Sequence, residues 1–473
     1  MKTDFADWLS PMLVKELRQG MRTKLFVSTF LILQGLMMFS VIMGLLTVGV
    51  TSDGGFGTGF FWTVISLPVL CILPFSGLGA VSNEMKANTL ELLFLTRLSA
   101  WRIIAGKWFA IVAQTVLLVC AVLPYAALRY FTGGVNLADE LLGLGLMLAG
   151  SALLSSISVG LSPYQTRFNR VFVVIGMIVF VQGVLPYIFM RGAFSISVTS
   201  GGSYYPLAAL IPLGCVAVVL HFLMLEMGAS KIAPPAENHA AKKRSLAFLL
   251  LLISIGATLW TSDARMLTAL CGALALIVCL DALTEQIQMI PSIYRPFVRR
   301  GFLGRLLGRF LYPGWGSGLL CTVVLIGGFA ALFIWHRVLI QNAHSLLFIA
   351  FCGALLVPHA IIRVFLPRTE KVLAFFIGIQ MIFIAITLTA SAVDEALKWN
   401  VREVISFIPT SALILAVSDT LPDDTTALFL SATGITTAVS LGVLLLLMVR
   451  SWAKYREMEA LASATPAPDA TLA

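Results

Sequence analysis

The chain has 473 residues, of which 59% are hydrophobic and only 12% are charged. A soluble domain carries about twice that share of charged residues, so the composition excludes a soluble fold and predicts a membrane protein. The apolar runs are continuous rather than alternating, which excludes a transmembrane β-barrel and leaves helices as the spanning elements.

The first segment, residues 1–24, predicts an amphipathic helix that lies on the membrane surface. Pro11 is typical of the first position of a helix. Apolar and basic side chains recur on separate faces at helical spacing: Leu13, Leu17 and Met21, against Lys15, Arg18 and Arg22. This pattern is typical of an interfacial helix.

Twelve apolar runs follow, each near the roughly 20 residues that a membrane-spanning helix needs. They cover about 25–50, 60–82, 103–127, 139–161, 171–190, 205–228, 245–261, 266–283, 315–335, 344–362, 372–393 and 425–449. The fold class predicted is therefore all-α, a polytopic membrane protein of about 12 transmembrane helices. The first run is too long for the core of a cleavable signal and is expected to be retained.

The distribution of basic residues predicts the orientation. With the N-terminus in the cytoplasm, the cytoplasmic segments of this topology hold 26 of the 32 lysines and arginines. Such an excess is the usual mark of cytoplasmic loops. We therefore expect both termini to be cytoplasmic and the protein to lie in the plasma (inner) membrane. The net charge of +9 comes from basic residues distributed over these cytoplasmic segments, so it does not indicate nucleic-acid binding.

The two sets of six runs have a similar layout, which predicts two related halves, the second one diverged. The predicted parts are the interfacial helix 1–24, a first half 25–228, a cytoplasmic linker 229–244, a second half 245–450 and a cytoplasmic tail 451–473. The tail after about Met458 is expected to be disordered. The alternative is that any even-numbered polytopic protein can be divided into similar halves.

One apolar stretch, from Val404 to Val417, is too short to count as a span and contains Pro409. Counting it as a crossing would put the basic tail outside. A re-entrant or interfacial segment on the outer side explains it better.

The most distinctive polar stretch is the segment from Asn83 to Lys107, between the second and third runs. Asn88-Thr89 can cap a short helix, with Glu91 early in its first turn, and Ser99 can cap the helix that follows. The segment presents charge and leucine together at the mouth of two spans. This combination suits docking onto a separate soluble partner.

These residues resemble the permease subunits of ABC-2 type transporters. The likeness rests on an acidic residue, an Asn-Thr-Leu-Glu run, a leucine-rich turn and a later Gly-Lys: Glu84, Asn88, Thr89, Leu90, Glu91, Leu93, Thr96, Leu98, Ser99, Gly106 and Lys107. Asn88 stands where the family usually has glycine, and Arg97 stands where it usually has proline. The resemblance covers the first half well and the second half only in outline.

The resemblance implies an exporter subunit that is not itself an enzyme, driven by ATP and magnesium on a separate ATP-binding-cassette subunit. The chain contains no Walker A motif of its own. The resemblance implies the following coupling residues to that ATPase: Glu84, Asn88, Thr89, Leu90, Glu91, Leu92, Leu93, Thr96 and Arg97. Among these, Glu84, Glu91 and Arg97 are expected to make polar contacts, and Leu90, Leu92 and Leu93 to fill a groove.

Several alternatives remain open from the sequence. A membrane scaffold or sensor could use the same loop to bind a cytoplasmic protein. A secondary transporter is disfavoured, because the acidic residues fall at the ends of the spans rather than near their middles. The chain could act as a homodimer or as a self-sufficient duplicated unit. The basic loop 284–312 could be a degenerate coupling element or a segment lying on anionic lipid.

The remaining chemistry is sparse. Seven cysteines lie inside apolar runs without a C-x-x-C pair, which predicts small core residues rather than disulfides or a metal site. His221 and His359 are expected to be hydrogen-bonded core residues. No catalytic, cofactor-binding or metal-binding residue is predicted in this chain.

Overall fold

The structure, a computed structural model, describes residues 11–47, 55–87, 99–132, 136–164, 207–234, 237–260, 264–288, 290–369, 372–397, 401–417 and 423–464. Every regular element in these ranges is helical. Eleven of the described helices are long and apolar enough to cross a membrane. The chain is therefore a polytopic helical membrane protein. The eleven coincide with eleven of the predicted runs, and the twelfth run, 171–190, lies outside the described residues.

The chain folds as two compact units, residues 1–233 and 234–473. Their boundary falls inside the predicted linker 229–244, but most of that linker is helical. One helix continues through Ile232 and the next begins at His239. Both helices extend past their apolar runs into the predicted linker, so the part of the linker that lies between them is shorter than predicted.

The first unit contains eight helices among its described residues. They are α1 (Pro11–Met21), α2 (Lys24–Thr47), α3 (Gly55–Ser66), α4 (Leu73–Ser76), α5 (Ser82–Lys86), α6 (Ala100–Thr132), α7 (Leu137–Leu161) and α8 (Leu207–Ile232). The core of this unit is built from aliphatic and aromatic side chains of α2 to α8, including Phe61, Ile65, Leu73, Ile104 and Leu118, all fully buried. Helix α6 begins at Ala100, one residue after the predicted cap Ser99.

The second span of this unit is not one regular helix. A π-helical turn, Leu67–Ile72, separates α3 from α4, and a 3₁₀ turn, Gly77–Gly79, separates α4 from α5. Pro68 and Pro74 lie in this stretch, and each removes a backbone donor that a regular helix would use. The irregular turns therefore follow from the local sequence, Leu-Pro-Val-Leu-Cys-Ile-Leu-Pro.

Helices α7 and α8 approach each other so closely that glycine is required at the crossing. A Cβ added at Gly160 would overlap the carbonyl oxygen of Met224, and one added at Gly228 would lie 2.9 Å from the Cα of Gly160. Small residues at such contacts let helix backbones approach closely, which is a common way for membrane helices to associate.

We expect Gly160→Ala to lower the thermal stability of the purified protein in detergent. The new methyl group must push α7 away from α8, and such overpacking costs about 1–3 kcal/mol. Gly145→Ala, on the same helix α7, is the matched control, because its added Cβ meets nothing within 4 Å. Equal melting temperatures for the two variants would show that the crossing of α7 and α8 is not tightly packed.

The second unit contains ten helices among its described residues. They are α9 (His239–Trp260), α10 (Arg265–Thr284), α11 (Pro291–Val298), α12 (Gly301–Leu311), α13 (Trp315–Trp335), α14 (Asn342–Phe365), α15 (Val372–Leu397), α16 (Val401–Val404), α17 (Pro409–Val417) and α18 (Asp423–Ala464). Two of its core clusters are an aromatic one around Tyr294, Tyr312 and Tyr455, and a largely aliphatic one that includes Leu346, Ala412 and Phe429.

The apolar stretch from Val404 to Val417 forms the end of α16, a 3₁₀ turn and the nine-residue α17, which starts at Pro409. Nine residues rise only about 14 Å, too little to cross a bilayer. The helix packs against α14 and α18. As the sequence predicts, this stretch is not a span.

The last helix is longer than predicted. Helix α18 runs for 42 residues, roughly 63 Å, so it extends beyond a hydrocarbon layer of about 30 Å. Tyr455, Met458 and Ala462 are buried where it packs against α11. The prediction of disorder after Met458 is therefore wrong up to Ala464, because apolar residues at helical spacing hold the helix against α11. Residues 465–473 lie outside the described residues.

Candidate functional site

A buried lysine links three elements at one end of the first unit. Lys107, in the second turn of α6, is only 4% exposed. Its Nζ atom lies 2.7 Å from Glu84 Oε1 and 3.1 Å from Glu16 Oε1. Glu84 belongs to α5 and Glu16 to α1, so one ammonium group holds the broken second span, the third span and the first helix together. We call these three residues the Lys107 joint.

The Lys107 joint lies in a groove of about 320 Å³ between α1, the 3₁₀ turn, α5 and α6. Both carboxylates are about one-fifth exposed, so the groove reaches solvent while the ammonium group does not. Two carboxylates facing one ammonium leave a formal charge of −1. The groove can hold a small polar or cationic group, and the ion pairs connect its walls.

A serine from α7's end holds the backbone just before Glu84. The Oγ atom of Ser162 accepts hydrogen bonds from the amides of Val81 (3.0 Å) and Ser82 (3.1 Å) and donates one to the carbonyl of Leu78 (2.9 Å). These backbone groups are left without helical partners by the 3₁₀ turn, and Ser162 is fully buried. The hydrogen bonds of Ser162 therefore fix the backbone that positions Glu84.

Only one of the nine predicted coupling residues, Glu84, is among the residues that the structure describes. Its carboxylate pairs with Lys107. The other eight, Asn88, Thr89, Leu90, Glu91, Leu92, Leu93, Thr96 and Arg97, lie outside the described residues. The structure does bring the two ends of the motif, Glu84 and Lys107, into contact. The first prediction for Glu84, a contact with a partner subunit, did not foresee this internal ion pair.

The sequence analysis did not predict the roles of three residues in this site. They are Lys107, which pairs with both carboxylates, Glu16 and Ser162. The motif itself contained a signal for Lys107, because its closing Gly-Lys pairs with an opening acidic residue of opposite charge. For Glu16, in the middle of α1, and Ser162, just after α7, no local signal exists, since the partner of each lies far away in the chain.

A second, larger polar network lies at one end of the second unit. Arg244 of α9 is 1% exposed, and its guanidinium nitrogens reach the Glu285 carboxylate (2.7 Å) and the Ser317 hydroxyl (2.8 Å). Three backbone carbonyls complete its shell: Phe310 (3.0 Å), Tyr312 (2.7 Å) and Gly314 (3.1 Å). The neighbouring Lys243 pairs with Asp281 and, at 2.8 Å, with Glu285. We call this the Arg244 network.

The Arg244 network keeps its carboxylate charged. Burial by itself would raise the pKa of Glu285, but Lys243 and Arg244 beside it lower that pKa below the ordinary value. The opposite happens at Tyr312, where burial and the nearby Glu459 carboxylate raise the pKa of the phenol. Tyr312 therefore stays neutral and donates its hydroxyl to Glu459 Oε1 at 3.1 Å. The network is a structural connection between α9, α10, α13 and α18.

An apolar cavity of about 240 Å³ lies between α10, α13 and α14 in the second unit. Phe329, Phe333 and Phe348 form much of its wall, and apart from two cysteines His344 is the one polar side chain among its lining residues. Such a lining can hold an apolar chain or ring and offers almost no directional polar contact.

Other predicted features are placed as follows. Glu140, at a span end, pairs with Arg129 at 2.9 Å. His359 is buried and its Nδ1 lies 2.7 Å from the Leu355 carbonyl, as expected for a core histidine. The seven cysteines form no disulfides, and five of them are buried, whereas Cys120 and Cys215 are exposed. Among the described residues no group of three His, Cys, Asp or Glu could hold a metal ion.

Comparisons with known proteins add no relative: no protein-family model, no curated protein and no solved structure matches this chain.

Proposed function

We propose that the chain is the permease subunit of an ABC-2 type exporter, which moves a substrate across the membrane with ATP hydrolysed on a separate subunit. The observation that carries the proposal is the Lys107 joint. It closes the two ends of the segment 84–107 onto each other and ties both to α1. A soluble partner that binds the residues between those ends would thereby act on three helices at once.

The mechanism follows from this geometry. A force on the segment 88–98 is transmitted to the end of α5, which precedes the segment, and to the start of α6 at Ala100, which follows it. Because Lys107 pairs with Glu84 across the segment, the two helices are displaced as one body rather than spread apart. The π and 3₁₀ turns beyond α5 have fewer regular helical hydrogen bonds, and helices bend most readily at such breaks. The broken second span is thus the natural hinge.

The roles of the motif residues divide accordingly. Glu84 serves the internal joint, where its carboxylate meets Lys107. Glu91 and Arg97 make polar contacts with the ATPase, and the leucines between them, Leu90, Leu92 and Leu93, enter its groove. Helix α1 lies on the membrane surface: Lys15 and Arg18 are exposed, while Leu13 and Leu17 are partly buried.

The finer topology belongs to the same proposal. Twelve spans form two related six-span halves, residues 25–228 and 245–450, with both termini in the cytoplasm and the protein in the plasma membrane. ATP and magnesium are held by the partner ATPase. The division of the described chain at Ala233 and Pro234 supports two halves of nearly equal size.

We expect Glu91→Lys to abolish stimulation of the partner's ATPase activity without lowering the amount of protein in the membrane. The change reverses the charge offered to the partner. The tagged chain is purified from native membranes, co-purified proteins are identified by mass spectrometry, and ATP hydrolysis is assayed. Glu457→Lys is the matched control, because Glu457 is an exposed carboxylate on α18 outside the proposed coupling segment.

Two outcomes would contradict the proposal. If Glu91→Lys fails to accumulate in membranes while Glu457→Lys accumulates normally, Glu91 is a structural residue. If the wild-type chain purifies without an ATP-binding subunit from membranes in which such ATPases are present, the scaffold or sensor function becomes the better explanation.

A further inference from the structure

We propose that the groove between α12 and the end of α18 binds the headgroup of an anionic phospholipid, whose acyl chains lie along the apolar face of α12. The groove has a volume of about 470 Å³. Its walls are Phe302, Arg305, Leu306 and Arg309 from α12, and Arg456, Glu459, Ala460 and Ser463 from α18. All of these residues belong to the second unit. The inference does not depend on the proposed transport function.

The first step is the surface of α12, which is divided into three faces. Gly304 and Gly308 are buried: a Cβ added at Gly304 would overlap the Phe297 carbonyl oxygen, and one added at Gly308 would overlap the Tyr312 ring. On the opposite side, large apolar side chains are strongly exposed: Phe302 78%, Leu303 70%, Leu306 41% and Leu307 58%. Arg305 and Arg309 lie on the flank between these two faces, since residues of a helix advance by about 100° each.

The second step is the location of α12 at the membrane boundary. Only three residues separate its last residue, Leu311, from Trp315, where the span α13 begins. Helix α18 carries Trp452, whose ring lies under Arg309, one turn before Arg456, and tryptophan is enriched at the membrane interface. A strongly exposed apolar face at this level therefore meets lipid acyl chains rather than water.

The third step is charge. Three arginines and one glutamate line the groove, and Glu459 is already engaged by the Tyr312 hydroxyl. Among the described residues neither Arg305 nor Arg456 makes a hydrogen bond or an ion pair, and Arg309 lies over the Trp452 ring at 5.4 Å. A surplus of two positive charges with unused guanidinium donors matches a phosphate diester, which Arg binds well.

These three observations select the occupant. A soluble acidic peptide would satisfy the arginines, but it would leave the apolar face of α12 uncovered. A neutral lipid would cover that face and leave the net charge unbalanced. An anionic phospholipid does both, because it joins a phosphate to acyl chains in one molecule, as the groove adjoins the apolar face of α12.

The test is a titration of the full-length protein in a mild detergent with phosphatidylglycerol, with melting temperature and retained lipid as readouts. Phosphatidylcholine and inorganic phosphate are the comparison ligands. The triple variant Arg305→Gln, Arg309→Gln, Arg456→Gln is set against a control of equal charge, Arg299→Gln, Arg300→Gln, Arg450→Gln. The control arginines are exposed and lie outside the groove.

We expect phosphatidylglycerol to raise the melting temperature of the wild type and of the control, and the triple groove variant to need about 100-fold more lipid. Each basic residue near an anionic surface contributes about fivefold in affinity. If the triple variant does not fold, Arg305→Gln and Arg456→Gln are used singly, each with an expected loss of about fivefold.

Four results would overturn the proposal. The groove variant could respond like the control, phosphatidylcholine could stabilise as well as phosphatidylglycerol, or inorganic phosphate alone could give the full shift. In the fourth, hydrogen exchange would show α12 protected by an added partner protein and unaffected by phosphatidylglycerol, which would identify α12 as a protein-docking element.

Discussion

Replacing Arg244 by methionine should lower the melting temperature of the purified protein more than any other single substitution considered. The change removes five hydrogen bonds to four separate parts of the second unit and leaves three backbone carbonyls, a serine hydroxyl and one oxygen of Glu285 without this donor. Removing one partner of a buried ion pair costs about 3–5 kcal/mol. In a unit of this size that corresponds to roughly 10 °C.

Two further variants identify the cause. Arg244→Lys keeps the charge but cannot reproduce the planar fork of donors, so we expect it to recover only a small part of the loss. Arg450→Met serves as the control, because Arg450 is an exposed arginine of the same unit. A melting temperature for Arg244→Met equal to that of Arg450→Met would mean that the network contributes no net stability, which is a known outcome for some buried ion pairs.

Lys107→Met should break the ion pairs that connect α6 with α1 and with α5. The change leaves the carboxylates of Glu16 and Glu84 facing each other without the cation between them. We expect a loss of about 2–4 kcal/mol in unfolding free energy, at the lower end because both carboxylates still reach water. Limited proteolysis should then cleave between α1 and α2, near Thr23, faster than in the wild type.

A second substitution that neutralises one of the two carboxylates makes this prediction specific. In the double variant Lys107→Met, Glu84→Gln, one of the two opposed carboxylates is gone, and we expect about half of the lost stability to return, as coupled neighbours do in double-mutant cycles. Lys86→Met is the control, since Lys86 is exposed and lies on α5 beside Glu84. Equal cleavage rates for Lys107→Met and Lys86→Met would exclude the joint as a connection between α1 and the spans.

If the proposed function holds, the two predictions have different consequences. Arg244→Met weakens the second unit and should lower transport only through the amount of folded protein. Lys107→Met leaves both coupling-segment ends in place but unconnected, so ATP hydrolysis should become independent of transport. Measuring both activities per folded molecule separates loss of structure from loss of coupling.

The predicted site was only partly accessible from the sequence. The opening Glu84 could be found, because it belongs to a recognisable local pattern. The second carboxylate that pairs with Lys107, Glu16, is 68 positions away from Glu84. The hydroxyl that binds the backbone before Glu84 belongs to Ser162, which is also distant in the sequence. Nothing in the residues around Glu16 or Ser162 distinguishes them from other polar residues of the helices and their ends.

The sequence by itself determined the class of the protein and the location of its helices along the chain. Continuous apolar runs have few alternatives in a membrane, where each backbone amide must be satisfied within its own helix. It also separated the short stretch around Pro409 from the true spans, because length alone decides whether a helix can cross. These are local properties that do not depend on which helix packs against which.

Only the tertiary structure decided how charge is arranged at the helix ends. Whether a lysine such as Lys107 is solvated or buried between two carboxylates depends on helix packing, and packing depends on shape over the whole unit. The same holds for α18, whose end is held by Tyr455 and Met458 against α11, although its composition resembles a tail. Long-range contacts of this kind have no fixed spacing in sequence, so no periodicity could have predicted them.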